Sequence, residues 1–292
     1  MINKLENDKK ISLDDGAYVS NYISDPKILI TKSDGSYLYL TTDLATVLNR
    51  VEEYKIDKTL YIVDKRQKLH FEQLISSIDY FGFDDKEYHH VEFGTINDSN
   101  GNPYKTREGD AKKLIDLFEE TSMKIKKINS DLDSETNKLL TNTVLTFSDL
   151  KTNRMTDYKF DLDKFTNISG KTGIYVQYAL VRAKKLLKSS SVKTNNINLK
   201  ISDFDESDIK LVRGLIKFEY YFNLALENNE PHHLAEYLYE LSNLFNSMYQ
   251  NENILENKEE TIKQNKLKIS EYFISYSTLL MECLGLEPVE KM

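Results

Sequence analysis

Residues 60–81, LYIVDKRQKLHFEQLISSIDYF, combine a strand pattern with a helix pattern that follows it directly. They open with Leu60-Tyr61-Ile62-Val63-Asp64, an apolar run that ends in a polar turn and therefore predicts a buried β-strand. Residues 69–81 then repeat apolar side chains at helical spacing, which predicts an α-helix. In open α/β sheets, ligands bind beyond the carboxyl ends of the strands. The turn after Asp64 is therefore a candidate ligand site.

A β-hairpin and a helix are predicted before this unit. Residues 27–31 and 36–40 are short β-rich runs, and Ser33-Asp34-Gly35 between them has the composition of a hairpin turn. Thr42 or Asp43 is then expected to cap a helix that runs through residue 51.

The pattern changes along the rest of the chain. Residues 91–96 predict one more strand, but strand signals almost disappear beyond about residue 112. From there to the end, apolar residues recur at spacings of three and four, which predicts a bundle of five or six helices. We therefore expect an α/β domain over residues 1–122 and an all-α domain over residues 123–292.

Composition narrows the class of protein. No run of apolar residues is long enough to span a membrane, which favours a cytoplasmic protein. Cys283 is the only cysteine, so neither a disulfide within the chain nor a thiolate zinc site is expected, and its apolar neighbours predict a small core residue. Four of the five histidines form adjacent pairs, a spacing that does not predict a metal site.

The charge is unevenly distributed. The chain carries a formal net charge of -8, yet residues 121–200 hold fifteen Lys or Arg against seven Asp or Glu. Residues 180–200 contain no acidic residue and six basic ones. A surface that faces a phosphate backbone needs such a distribution, and a solvated helix face is the alternative.

Several ordered segments resemble the arginyl-tRNA synthetases. They are Tyr37-Leu38-Tyr39-Leu40-Thr41-Thr42-Asp43-Leu44-Ala45, Tyr61-Ile62-Val63-Asp64 with Arg66-Gln67 and His70-Phe71, Phe93-Gly94 before Lys105-Thr106-Arg107, Tyr175-Val176-Gln177-Tyr178-Ala179 with Arg182, and Tyr237-Leu238-Tyr239-Glu240-Leu241. This resemblance covers nearly the whole chain. It implies a partial Rossmann-type catalytic domain followed by an α-helical anticodon-binding bundle.

The resemblance implies an arginine site at Tyr39, Asp43 and Gln67. A guanidinium is planar, charged and rich in donors, so a carboxylate with aromatic and amide neighbours suits it. Asp43 would hold the guanidinium. From the residues alone, the simpler interpretations are structural: Asp43 as a helix cap, Tyr39 as strand core and Gln67 as a second helix cap. The resemblance reverses this preference in favour of the arginine site.

The resemblance also implies an ATP site and a tRNA surface. Lys105 lies in the position of the family's signature loop and would contact the phosphates, with Arg107 assisting it. On the adenosine side, the matching residues are His90, Phe93 and Gly94. Magnesium would arrive bound to the substrate ATP. The residues that match the family's tRNA-facing positions are Tyr175, Gln177, Tyr178, Arg182, Phe245, Tyr249 and Met292. For each tyrosine, core packing is the alternative.

The family's first signature, of the His-Ile-Gly-His type, is absent from these 292 residues. The resemblance thus implies the carboxyl-terminal part of an enzyme that joins arginine to its tRNA through an arginyl-adenylate, inactive or nearly so alone. Three explanations are open. The chain is a truncated enzyme, one subunit of a split enzyme with a separate N-terminal catalytic half, or a non-catalytic paralogue that acts as a tRNA-binding or regulatory module. Residues 169–174, SGKTGI, depart from the family's usual Glu-Gly-Asn-Thr pattern and favour the paralogue, whereas the retained pocket residues favour an enzyme.

Overall fold

A computed structural model describes residues 1–83, 86–97, 101, 113–194, 197–251 and 253–292. The chain divides into two compact units, Met1–Gly94 and Thr95–Met292. The predicted boundary after residue 122 falls inside a helix of the second unit, and that boundary stays a prediction. Within the described residues, no helix combines the length and the apolar content needed to cross a membrane.

The first unit is an α/β structure, as predicted. Its elements are α1 (Ile2–Asn7), β1 (Ile11–Asp14), β2 (Ala17–Ser20), α2 (Tyr39–Tyr54), β3 (Lys58–Asp64), α3 (Lys68–Phe81) and β4 (Glu87–Phe93). β3 and β4 pair in parallel, with Asp64 opposite Phe93 at their carboxyl ends. This strand, helix and strand unit confirms the strand and the helix predicted over residues 60–81. The prediction that the strand is buried is wrong: Leu60 and Ile62 are 41% and 64% exposed, because residues of β3 alternate between exposed and partly buried, as in a strand that is covered on one face.

The core of the first unit is built by stripes on two helices. Leu40, Leu44 and Val47 lie one turn apart on α2 and are buried. Phe71, Leu74 and Ile78 form the matching stripe on α3. Both stripes belong to one hydrophobic cluster. The packing of α2 against α3 therefore positions whatever side chains these helices carry at their exposed edges.

The predicted hairpin before α2 is largely wrong. Between the two predicted strands only one antiparallel bridge forms, from Thr31 to Tyr37, and Leu29 instead bridges Val19 of β2. Gly35 does make the turn with a positive φ. The helix begins at Tyr39, so Thr42 and Asp43 lie within it and cap nothing. The reason is that Leu40 belongs to the buried helical stripe, which extends α2 one turn earlier than the polar residues suggest.

The second unit is almost entirely helical. Its elements are β5 (Ile96–Asn97), α4 (Leu114–Ile128), α5 (Ser134–Leu150), β6 (Tyr158–Lys159), α6 (Leu162–Phe165), α7 (Gly173–Ser189), α8 (Glu206–Ile216), α9 (Phe218–Asn228), α10 (His232–Asn251) and α11 (Glu260–Cys283). β5 pairs in parallel with β6. The described residues thus hold more helices than the five or six predicted, partly because α8 and α9 separate at Lys217 within one apolar pattern.

Two hydrophobic clusters hold the second unit together. The larger joins α7, α8, α10 and α11, and the smaller joins α4, α5 and the end of the chain. Cys283 was predicted to be a core residue, but it is exposed. The buried stripe of α11 continues through Leu280, Met281 and Leu284, which leaves position 283 on the opposite side of the helix.

Candidate functional site

The edge of the α2–α3 pair carries the predicted arginine-binding residues. Tyr39 and Asp43 lie one turn apart on α2, so both project from the same side of the helix. Tyr39 is 87% exposed, and the Asp43 side chain is 39% exposed. Gln67 is exposed at the residue before α3. All three side chains are therefore accessible to a ligand.

None of these three residues has the structural role that was its alternative interpretation. Asp43 does not cap α2, and Tyr39 is neither in a strand nor in the core. Gln67 occupies the N-cap position of α3, yet its side chain makes no capping hydrogen bond. Local folding therefore does not explain why a tyrosine, an aspartate and a glutamine occupy these positions.

His70 joins Asp43 to α3, and sequence reasoning gave it no role. Its Nε2 lies 2.7 Å from Oδ2 of Asp43. His70 stands in the first turn of α3, so this contact connects the helix that carries Asp43 with the segment that carries Gln67. His70-Phe71 belongs to the family-like segment that begins at Tyr61, but a contact between residues 27 positions apart has no local sequence signal.

The turn after β3 is held by Asp64 and Arg66. Asp64 accepts hydrogen bonds from the backbone amide of Arg66 at 2.8 Å and from its guanidinium. The guanidinium contact outweighs desolvation and lowers the pKa of the Asp64 carboxyl group. This charged turn starts the segment that leads to Gln67.

The predicted adenosine-side residues fall in two environments. Phe93 is 39% exposed at the carboxyl end of β4, directly before Gly94, where ligands of parallel sheets usually bind. His90 lies further back, with its side chain only 8% exposed and its ring stacked on Phe71 at 4.8 Å. Neither ring nitrogen of His90 has a hydrogen-bond partner within the described residues. Lys105 and Arg107 lie outside the described residues.

A surface of aromatic, amide and arginine side chains runs along α7 and α10. We call it the α7–α10 ladder. Tyr175 donates its hydroxyl to Asn243 at 2.7 Å, and Arg182 donates to Asn246 at 2.8 Å. The Arg182 guanidinium also lies over the rings of Tyr178 and Tyr249, at 4.5 Å and 5.0 Å from their centroids. Stacking faces beside a fixed cation are the features that suit unpaired RNA bases.

The structure brings four of the seven predicted tRNA-binding residues into the ladder, namely Tyr175, Tyr178, Arg182 and Tyr249. Gln177 is fully buried and bonds Thr143, the carbonyl of Glu287 and the amide of Val289. Phe245 is fully buried and stacks on Phe273 at 4.4 Å. Both lack access to solvent, so we leave them out of the surface. Met292 is half-buried against the smaller cluster, beside α4 and α5.

The basic segment, residues 180–200, contains lysines that form ion pairs within the described residues and lysines that do not. Lys184 pairs with Glu290 at 2.5 Å, and Lys200 pairs with Asp203 at 3.1 Å. Lys185, Lys188 and Lys193 are exposed. In the part of the chain that the structure describes, no ion pair involves these three lysines. They are the cations that a phosphate backbone would meet without first displacing a carboxylate.

Comparison with known proteins places the chain in a family. The model of tRNA synthetases class I (R), catalytic domain, matches residues 1–162, and the model of the DALR anticodon binding domain matches residues 176–292. The chain belongs to the arginyl-tRNA synthetase family. The fold class predicted from the sequence, a partial Rossmann-type catalytic region followed by a helical anticodon-binding domain, is thereby confirmed.

Individual members of the family are similar over the whole chain. The arginine–tRNA ligase of Francisella tularensis is 35% identical over an alignment of 304 positions, which covers all of this chain and 52% of that protein. The structure of the Plasmodium falciparum arginyl-tRNA synthetase matches with a TM-score of 0.81 at 26% identity, over all of this chain and 51% of that one. The Thermus thermophilus enzyme shares the fold, with a TM-score of 0.85 at 20% identity over 57% of its length. The chain thus spans about half the length of these relatives.

The turn that departs from the usual pattern of arginyl-tRNA synthetases is well formed. Thr172 caps α7 by accepting the amide of Tyr175. Lys171 pairs with Glu236 of α10 at 2.8 Å, and its carbonyl accepts the Lys151 ammonium at 2.8 Å. Burial lowers the pKa of Lys151, and the charge of Lys171 lowers it further. The changed residues are therefore integrated into the contacts between helices.

One histidine pair lies in a cluster that sequence spacing did not predict. Ligand atoms of Glu230, His232 and His233 lie within 4.8 Å of one another. Glu230 precedes Pro231 in the turn before α10, which returns its carboxylate to 3.0 Å from Nε2 of His233. Burial lowers the pKa of His232, and the adjacent His233 adds to the effect. Because Asn153 also donates to Glu230, the carboxylate already has two partners.

Proposed function

We propose that this chain is part of an arginine–tRNA ligase and supplies the arginine side of the active site together with the tRNA-binding helical domain. The observation that carries the proposal is that Tyr39, Asp43 and Gln67 are accessible and that none of them has the capping or core role that was its alternative interpretation. The relatives that span this chain are named arginine–tRNA ligases, which supports the same conclusion. The proposal includes a cytoplasmic location for the protein.

The proposed reaction has two steps. The carboxylate of L-arginine attacks the α-phosphorus of ATP and pyrophosphate leaves; the terminal ribose hydroxyl of tRNA then attacks the adenylate carbonyl and AMP leaves. Asp43 would bind the guanidinium, with Tyr39 and Gln67 beside it. Lys105 and Arg107 would stabilise the charge that develops on the phosphates of magnesium-bound ATP, and Phe93 with Gly94 would lie on the adenosine side.

His90 is less accessible to a nucleotide than Phe93. Its ring is buried against Phe71, so contact with adenosine would require a change in that packing. His90 stays in the proposal because neither ring nitrogen has a hydrogen-bond partner within the described residues and Glu92 lies 3.9 Å from Nδ1, beyond hydrogen-bond distance, which is costly for a buried polar group.

The helical domain would bind arginine tRNA through the α7–α10 ladder, with Lys185, Lys188 and Lys193 as phosphate contacts. A gel-shift titration with arginine tRNA and a non-cognate tRNA, at two salt concentrations, tests this. Selective binding that survives the higher salt is expected, because stacking and amide contacts are less salt-sensitive than phosphate contacts. Equal binding to both tRNAs would contradict the proposal.

We further propose that the 292-residue polypeptide alone does not charge tRNA, since the signature that binds the other side of ATP is not among its residues. The assay compares arginylation by the purified polypeptide with and without an added N-terminal half of the catalytic domain. Activity only with the added half is expected. Activity of the polypeptide alone would contradict this proposal.

A non-catalytic paralogue is the second candidate, and the changed residues 169–174 favour it. Because this turn is well formed, the change is compatible with a module selected for tRNA binding or regulation. Selective tRNA binding without arginylation, even with the added half, would favour the paralogue over the enzyme.

A further inference from the structure

The contact between Asp43 and His70 has the geometry of a strong, charge-assisted hydrogen bond. The distance from Nε2 of His70 to Oδ2 of Asp43 is 2.7 Å. The side chains are 28% and 39% exposed. Within the part of the chain described, His70 is the hydrogen-bond partner of this carboxylate, and the contact engages only one of its two oxygens. The other oxygen remains for a ligand.

The His70 ring is itself held in place by the core. It forms a T-shaped contact with the ring of Phe71, with 5.0 Å between the centroids and an interplanar angle of 89°. Phe71 is only 6% exposed and also contacts the rings of Tyr61 and His90. A side chain supported by such packing can fix the orientation of a more exposed neighbour.

Imidazole suits this task better than a permanently charged partner. A neutral ring that donates through Nε2–H orients the carboxylate and leaves its negative charge for the guanidinium. A lysine or arginine at position 70 would compensate that charge and weaken the attraction of a cationic ligand.

We propose that His70 is a positioning residue for arginine recognition: it holds Oδ2 of Asp43, so that Oδ1 accepts the guanidinium in a fixed geometry. This inference rests on the proposed function, because it requires Asp43 to bind arginine. It adds a residue that connects α2 with α3 and thereby ties the position of the carboxylate to that of Gln67.

Titration of the full chain with L-arginine, followed by NMR, tests this proposal. The variants are H70A, which removes the donor; H70Q, whose side-chain amide nitrogen replaces Nε2; and D43N. We expect H70A to weaken arginine binding about tenfold, because it removes one hydrogen bond to a charged group. H70Q should bind arginine within about threefold of the unmodified chain, because its amide restores that hydrogen bond. D43N should abolish selectivity for L-arginine over uncharged L-citrulline.

Rescue by H70Q separates positioning from a purely structural role. The unfolding midpoint of H70A should change little, because a single side-chain contact that is partly exposed contributes little to stability. A second readout is the tautomer of His70 from its ring nitrogen shifts, which should show the proton on Nε2 in the unmodified chain and change in D43N.

The outcomes distinguish the two proposals. Three results would each overturn the positioning role and leave the arginine site intact. They are unchanged arginine binding in H70A, equal weakening of binding in H70A and H70Q, and a His70 ring that carries its proton only on Nδ1. If the unmodified chain and D43N are alike in binding no arginine, the arginine site itself is wrong and the role of His70 falls with it.

Discussion

The ammonium of Lys266 lies 2.8 Å from Oδ1 of Asp208, and neither side chain reaches solvent. A second carboxylate, Asp205, lies 2.7 Å from the same ammonium. Asp205 caps α8, and Asp208 accepts the backbone amide of Asp205 in return. The three charges therefore join the start of α8 to the second turn of α11, with each buried charge compensated.

Removing the cation should be strongly destabilising. K266M leaves the buried charge of Asp208 without a cation, so we expect a loss of about 3–5 kcal/mol in the free energy of unfolding, measured by urea denaturation. Adding D208N to K266M should restore part of it, because the amide oxygen still accepts the Asp205 amide. The control is K210A, which removes the exposed pair with Glu206 and should cost at most about 1 kcal/mol. Similar losses for K266M and K210A would contradict this interpretation.

The same triad predicts an acid-dependent loss of stability. Burial opposes ionisation of Asp205, but bonds from Lys266, Ser207 and the Asp208 amide outweigh it and lower its pKa to about 2. Because this pKa lies below the unfolded value near 3.8, the stabilisation is present above about pH 4 and is lost as the pH falls towards 2. Thermal unfolding of the unmodified chain and D205N should therefore converge over this range. A constant difference between them down to pH 2 would contradict the assignment.

Gln177 should act through the fold. Its side chain makes three hydrogen bonds, two of them to the segment near the end of the chain. Q177L leaves those buried groups unsatisfied, so we expect a loss of about 3 kcal/mol and faster amide exchange in residues 286–292. Q264L, on the more accessible side of α11, is the control. If Q177L abolishes tRNA binding without lowering stability, direct contact with RNA is the better explanation.

Gly173 should tolerate no side chain. A Cβ atom there would lie 2.7 Å from the carbonyl oxygen of Thr143, which belongs to the backbone of α5 and cannot turn away. We expect G173A to cost about 1–3 kcal/mol. A Cβ at Gly214 meets only the tips of Leu244 and Leu241, and alanine favours a helix by about 1 kcal/mol, so G214A should cost less. The comparison is made by thermal and urea unfolding, and the reverse order would contradict it.

The three exposed lysines should determine the salt dependence of tRNA binding. In K185A/K188A/K193A, we expect the slope of log affinity against log salt to decrease by about two to three, close to one per phosphate contact. The control is K184A/K200A, whose lysines already pair with Glu290 and Asp203. Equal slopes for the two variants would show that the phosphate contacts lie elsewhere.

Sequence patterns predicted some local structure well and missed other parts for identifiable reasons. β3 and α3 were found because their apolar periods differ and are each uninterrupted. The hairpin of β1 and β2 was missed, although Asp15 and Gly16 at its turn are a strong local signal. The start of α2 was misplaced because polar residues that resemble a cap fall inside the helix. These errors concern where an element begins, which local pattern determines least.

Short sequence segments were sufficient to identify the family and the α/β and helical fold class, and they predict an arginine site at Tyr39, Asp43 and Gln67. Only the tertiary structure decided which polar side chains turn inwards. Gln177 and Lys266 are polar residues in helices, and each is buried because a distant segment supplies its partners. His70 acquires its contact with Asp43 in the same way, across two packed helices. A polar residue's role depends on the groups that meet it in space, and those groups come from elsewhere in the chain.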